Sequence, residues 1–284
     1  MFAYVDTRNP QAVEEQARLT YLRLFPDADP SFITQSFDWA RQCFSGQVGE
    51  YLPIDARYHD FEHTLQGTLC LIRLLEGRHL AHAKPLVDQH RFKLVLLAIL
   101  FHDTGYLKRR DDTDGTGAKY TLTHVVRSAD FARDFLSSRG FSASDIEAIR
   151  NMISCTGVNA NLQAIPFRDD LERTLGYALA TADLLGQMAA PDYVEKLPIL
   201  YQEFAEAVRH DGPKAGRLAS YRDADELARN TPSFWQNYVL PKINSDFDKL
   251  YQFLSVPYPH GTNSYVAAIE KNLARIGDAL ARSP

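Results

Sequence analysis

Apolar side chains recur every three to four residues along most of this chain, the spacing that lines one face of an α-helix. Ser31 opens one such pattern, carrying Phe32, Ile33, Phe37, Trp39, Ala40 and Phe44 toward about Val48. A second starts near His59 and runs to Leu75, with Leu65, Leu69, Ile72 and Leu75 on one face. Gln89–His102 is a third, ending in the unbroken apolar run Leu94–Phe101. Thr123–Arg139 predicts a further helix that Gly140 closes, and Ser142 or Ser144 is placed to cap Asp145–Ser154. Asp170–Met188, Tyr193–Arg209 and Asn263–Ala281 follow, with one or two helices within Asp223–Leu254 interrupted at Pro232 and Pro241. No stretch alternates with period two, so the expected fold is all-α. The least regular stretches, Leu107–Leu122 and Gly157–Asp169, read as the lips of a site.

With 284 residues and 45% hydrophobic content the chain can bury a large core, and we expect a single all-α domain. A formal charge of −5 carries no footprint for extended nucleic acid. Cys43, Cys70 and Cys155 are far apart and odd in number, which argues against a disulfide framework and a thiolate zinc site. The first residues lack the basic-then-apolar order of a signal peptide, and no apolar run reaches the ~20 residues of a membrane span. The expectation is a cytoplasmic protein with no membrane partner. Its oligomeric state is left open.

Chemistry concentrates at few positions. His102 and Asp103 end the apolar run, so both should lie at the core, where an unpaired carboxylate is costly and a metal ion removes the cost. His59 and His63 in YHDFEHT stand four apart, a spacing that suits a metal, or one ligand and one proton donor. Asp183 is a lone acid within TLGYALATADLLGQMAA and needs a partner. His124 opens a helix, as a candidate second-metal or phosphate contact. Lys108, Arg109 and Arg110 follow the His-Asp pair, where they could meet an anionic substrate. The segment DDTDGTG lacks oxygen ligands at the first and twelfth positions of a calcium loop, where Arg110 and Thr121 stand.

Together, the order His63, His102-Asp103, Asp183 resembles the HD-domain superfamily of metal-dependent phosphohydrolases, over roughly Tyr58 to Ala190. The resemblance implies a helical bundle with a metal-binding core of about 58–190, and helical additions at 1–57 and 191–284. It implies that His63, His102, Asp103 and Asp183 hold one divalent cation (Zn, Mn, Fe or Mg), with Asp103 bridging to a second where one binds. Within that superfamily, YHDFEHT is similar to the histidine motif of the class I cyclic-nucleotide phosphodiesterases, which makes His63 a ligand and His59 the general acid. SFWQNYVLP is similar to their base-binding stretch, with Phe234 as the clamping ring and Pro241 as the later proline. Asp60 stands in place of that motif's asparagine, Tyr106 in place of a histidine, and Thr231 in place of the purine-reading glutamine. The expected activity is a phosphohydrolase, foremost a phosphodiesterase, with metal-activated water attacking a small phosphorylated substrate such as a nucleotide. The alternatives are a non-hydrolytic nucleotide- or metal-sensing protein on the same scaffold, and oxygen chemistry at a di-iron pair.

Overall fold

A computed structural model of the chain describes residues 2–282, so Met1 and the final two positions of the C-terminal addition lie outside the described residues. The helices are α1 Pro10–Leu24, α2 Ser31–Phe44, α3 Phe61–Leu80, α4 Gln89–Phe101, α5 His124–Ser137, α6 Ala143–Ser154, α7 Asp170–Met188, α8 Tyr193–Asp211, α9 Ala224–Phe234 and α10 Ser264–Arg282. The only paired strands among the described residues are Ser255–Val256 and Thr262–Asn263, antiparallel, with Ser255 opposite Asn263. The fold is all-α.

Helix starts follow from local chemistry. Asp60, Asp88, Ser142, Asp169 and Asp223 each accept the main-chain N–H three residues ahead, satisfying a donor that the helix itself leaves free. Ser31 is different from its expected role: its hydroxyl donates to Asp29, and α2 has no side-chain cap. Gly140 does close α5, in the left-handed region at φ 78°. At the two prolines the chain does not break. Pro232 lies inside α9, and Pro241 leads into π-helical turns (Trp235–Val239 before it, Lys242–Asp246 after it), which accommodate the missing N–H by widening.

Helix α4 is the centre of the molecule. Every residue from Leu94 to Phe101 is buried, and α4 packs against α2, α3, α5, α6 and α7. One cluster of apolar contacts continues outward from it, from Val13 of α1 to Ile276 of α10. Helices α3 and α7 cross closely. A Cβ at Gly186 would stand 2.7 Å from the main-chain oxygen of Gln66 and 2.8 Å from the nitrogen of Gly67. Only glycine lets these backbones meet, and the contact lies one turn from both Asp183 and His63. None of the helices among the described residues is long and apolar enough to cross a membrane.

Candidate metal centre

Each cluster residue is placed by the end or crossing of a helix. His63 sits in the first turn of α3, fixed by the Asp60 cap that takes its N–H at 2.8 Å. Aspartate there does the capping work of asparagine, so the changed residue in the motif keeps the helix start intact. His59 precedes the cap. It therefore does not share a helical face with His63 as the spacing suggested, yet the two ring centroids are 5.3 Å apart. His102 caps the C-terminal end of α4, and Asp103 begins the tight turn Thr104–Tyr106. That turn is pinned to α5, where Ser128 Oγ accepts the Gly105 N–H at 2.8 Å and Arg127 Nε donates to the Gly105 carbonyl at 2.7 Å. A Cβ at Gly105 would fall 2.0 Å from the His124 carbonyl, so glycine is what brings His124 beside Asp103.

The donor atoms converge. His63 Nε2 lies 3.2 Å from both Asp103 Oδ2 and Asp183 Oδ1, and His102 Nε2 lies 3.3 Å from the same two oxygens. Donors about 2.1 Å from a common ion stand about 3.0 Å apart at right angles and about 3.4 Å apart at the tetrahedral angle. The four observed separations fall between those values. His102 Nδ1 faces the Ile99 carbonyl at 2.7 Å, which assigns the ring proton to Nδ1 and turns the Nε2 lone pair inward. Among the described residues, buried His102 Nε2 and Asp103 Oδ2 have no hydrogen-bond partner, an arrangement that an ion would satisfy. His63, His102 and Asp103 form a buried group able to hold a metal ion, and Asp183 offers the fourth donor atom.

Electrostatics agree with that geometry. Burial alone would lower the pKa of His63, but Asp103 and Asp183 outweigh it and push it up to about 10. His102 is raised against burial by the same carboxylates. Burial would raise Asp103 and Asp183, whereas the facing imidazoles hold both well below the usual carboxylate range. Without an ion the cluster neutralises itself with protons, and a cation replaces them.

A second group borders these donors. His59 Nδ1 donates to Glu203 Oε2 at 2.6 Å, and the other Glu203 oxygen accepts the Tyr58 N–H at 2.7 Å. The His59 ring stacks on Tyr106 at 4.5 Å, and Tyr106 stacks on His124 at 4.7 Å. His124 donates Nδ1–H to the Thr121 carbonyl at 2.6 Å, and its Nε2 lies 3.9 Å from Asp103 Oδ1. Burial lowers the pKa of His124 and favours the neutral ring.

The fold thus brings together His59, His63, His102, Asp103, His124 and Asp183. Lys108 and Arg109 are engaged elsewhere. Buried Lys108 holds Asp55 at 3.2 Å and the Gly115 carbonyl, while exposed Arg109 pairs with Glu50. Loop geometry decides this, because residues 108–110 are hydrogen-bonded alongside residues 50–52 and turn their cations to that edge. Phe234 stacks on Tyr238 at 5.0 Å, and buried Thr231 gives its hydroxyl to the Leu227 carbonyl. Glu203 was not foreseen. It is a buried acid on the same stripe of α8 as Tyr193, Leu197 and Ala207, and a lone acid on an apolar stripe is the signal that marks it.

These features define an all-α protein with a buried His/His/Asp cluster able to hold a metal ion. The chain belongs to the Npun_R2479-like family, whose model matches residues 15–257. No curated protein matches it.

Proposed function

We propose that this chain is a metal-dependent phosphohydrolase whose substrate is a small phosphodiester, a nucleotide being the leading class. The observation that carries the reading is the meeting of four ligand-type atoms, with separations of 3.2–3.3 Å, beside a histidine that takes no part in them. The resemblance of the same residues to the HD-domain phosphohydrolases supports it. His63, His102, Asp103 and Asp183 would hold the ion, which supplies Lewis acidity toward a phosphoryl oxygen and toward water.

The chain's own residues divide the remaining work. His59 carries its Nδ1 proton toward Glu203, so the opposite nitrogen is the one that gives a proton to the departing oxygen. The Glu203 carboxylate holds the ring in orientation and stabilises the charge it bears before giving up the proton. Tyr106 fixes the plane of His59 from one side by stacking. His124 Nε2, unprotonated because its ring proton goes to the Thr121 carbonyl, lies near the second Asp103 oxygen, where it is a candidate donor atom to a second cation shared with Asp103.

The test is elemental analysis of purified protein, then a panel of cyclic nucleotides, nucleoside phosphates and aryl phosphodiesters with and without chelator. Stoichiometric divalent metal and chelator-sensitive turnover are expected, and His63→Ala and Asp183→Ala should lose both. Full metal content in the Asp183 variant, or no turnover of any phosphoester by metal-loaded protein, would refute the proposal.

A further inference from the structure

Asp183 is held from behind. Gln187, one turn later on α7, donates through Nε2 to the Asp183 main-chain oxygen at 3.2 Å and lies 3.5 Å from Asp183 Oδ1. Both of those oxygens only accept, so the nitrogen end of the amide must face them. Its oxygen end then faces Tyr58, whose hydroxyl must donate, at 2.9 Å. Tyr58 is itself immobilised: it is 2% exposed, and its N–H donates to Glu203. Every donor and acceptor in this run therefore has one permitted direction.

We infer that Tyr58 and Gln187 are positioning residues that aim the Asp183 carboxylate at the imidazoles of His63 and His102 and so set the affinity of the site for its ion. Asp183 Oδ1 meets two imidazole nitrogens at 3.2 and 3.3 Å, a geometry that a small rotation of the carboxylate would spoil. The amide of Gln187 opposes that rotation, and the Tyr58 hydroxyl keeps the amide from turning over. The same Glu203 that orients His59 anchors Tyr58, so proton donor and ligand share one support. Outer partners of this kind are worth 10- to 100-fold in metal affinity.

This inference rests on the reading of the cluster as a metal site, and the experiment separates the two. Zinc affinity is measured by competition with a chromophoric chelator for wild type, Tyr58→Phe, Gln187→Leu and the double variant, and cobalt(II) spectra report ligand geometry. Tyr58→Phe removes a single oxygen and should keep the melting temperature of the chelated protein while weakening zinc about 10- to 100-fold. Because the hydroxyl acts only through Gln187, the double variant should bind no more weakly than Gln187→Leu. Wild-type affinity and an unchanged cobalt spectrum in Tyr58→Phe, or losses that multiply in the double variant, would overturn the inference. Wild-type protein that takes up no zinc or cobalt would overturn the metal reading, and this inference with it.

Discussion

Replacing Gly186 with alanine sets two effects of opposite sign against each other. Alanine in a helix interior gains about 0.8–1.0 kcal/mol over glycine, so on propensity alone α7 would be stabilised. The new Cβ, however, would lie 2.7 Å from the Gln66 oxygen, 2.8 Å from its carbonyl carbon and 2.8 Å from the Gly67 nitrogen. Carbon and carbonyl oxygen approach to about 3.3 Å, so α3 and α7 must part by about 0.6 Å. All three obstacles are backbone, which cannot swing aside. The cost therefore belongs at the upper end of overpacking, about 3 kcal/mol, and the net effect is about 2 kcal/mol of destabilisation. Gly67→Ala is the matched control. The nearest atoms to its Cβ would be the terminal methyl of Ile99 at 3.3 Å, the Asp183 Cα at 3.7 Å and the Ile99 Cγ1 at 3.8 Å, so it should be neutral or slightly stabilising. In urea the two variants should differ in midpoint by on the order of 0.7 M at a slope near 3 kcal/mol/M. A parting of 0.6 Å also exceeds the ~0.2 Å tolerance of a metal–ligand distance, so Gly186→Ala should lose metal affinity as well. A Gly186→Ala protein as stable as the Gly67→Ala control, with undiminished metal binding, would refute the close-crossing argument.

Two further outcomes follow from the same geometry. His59→Ala should keep its metal and lose about 10²- to 10⁴-fold in turnover, and Glu203→Gln should keep its metal and lose less. Metal loss in His59→Ala, by elemental analysis, would remove His59 from the role of proton donor. In chelated protein, His63 is raised from 6.5 to about 10, so its contribution to stability is whole below about pH 6.5 and disappears as pH climbs toward 10. Asp103 and Asp183 are depressed below 3.8, so theirs is present above that value and is lost as pH falls beneath it. Urea midpoints of chelated protein should therefore decline between pH 6.5 and 10, while the added stability from a divalent ion grows over the same range. A midpoint unchanged across that range in chelator would contradict the cluster's charge balance.

Much of the architecture was legible because it depends on local pattern. The buried run Leu94–Phe101, the cap at Ser142, the stop at Gly140 and the span of α7 each follow from a few adjacent residues. Helix α1, outside the expected elements, carries a local signal too: Asn9 and Pro10 form a start signal, and Val13, Ala17, Tyr21 and Leu24 make a buried stripe. What the sequence conceals is direction. A helix from His59 would have put both histidines on one face, but Asp60 competes successfully as the cap and leaves His59 on the approach. Lys108 and Arg109 follow Asp103 by only five and six positions, yet the turn at Thr104–Tyr106 and the pairing with residues 50–52 send them elsewhere. The first outcome is signalled locally by Asp60, whereas the second has no local signature because it is decided by a segment dozens of residues away.

Helix α8 is tied to the candidate site as closely as the core helices are. A core of 58–190 contains all four ligand-type residues, and by that measure α8 would be an addition packed on afterward. Glu203 argues otherwise. It is 4% exposed, and a buried carboxylate is tolerated only where hydrogen bonds satisfy it. Its partners are the Tyr58 main chain and the His59 ring, the two groups that lead into α3. Lys196 of the same helix reaches Glu62 at 3.0 Å, gripping α3 in its first turn beside His63. Helix α8 thus fixes the segment that bears both a candidate ligand and the proposed proton donor. A chain ending at 190 would keep every candidate metal ligand and still lack the group that holds the His59 ring.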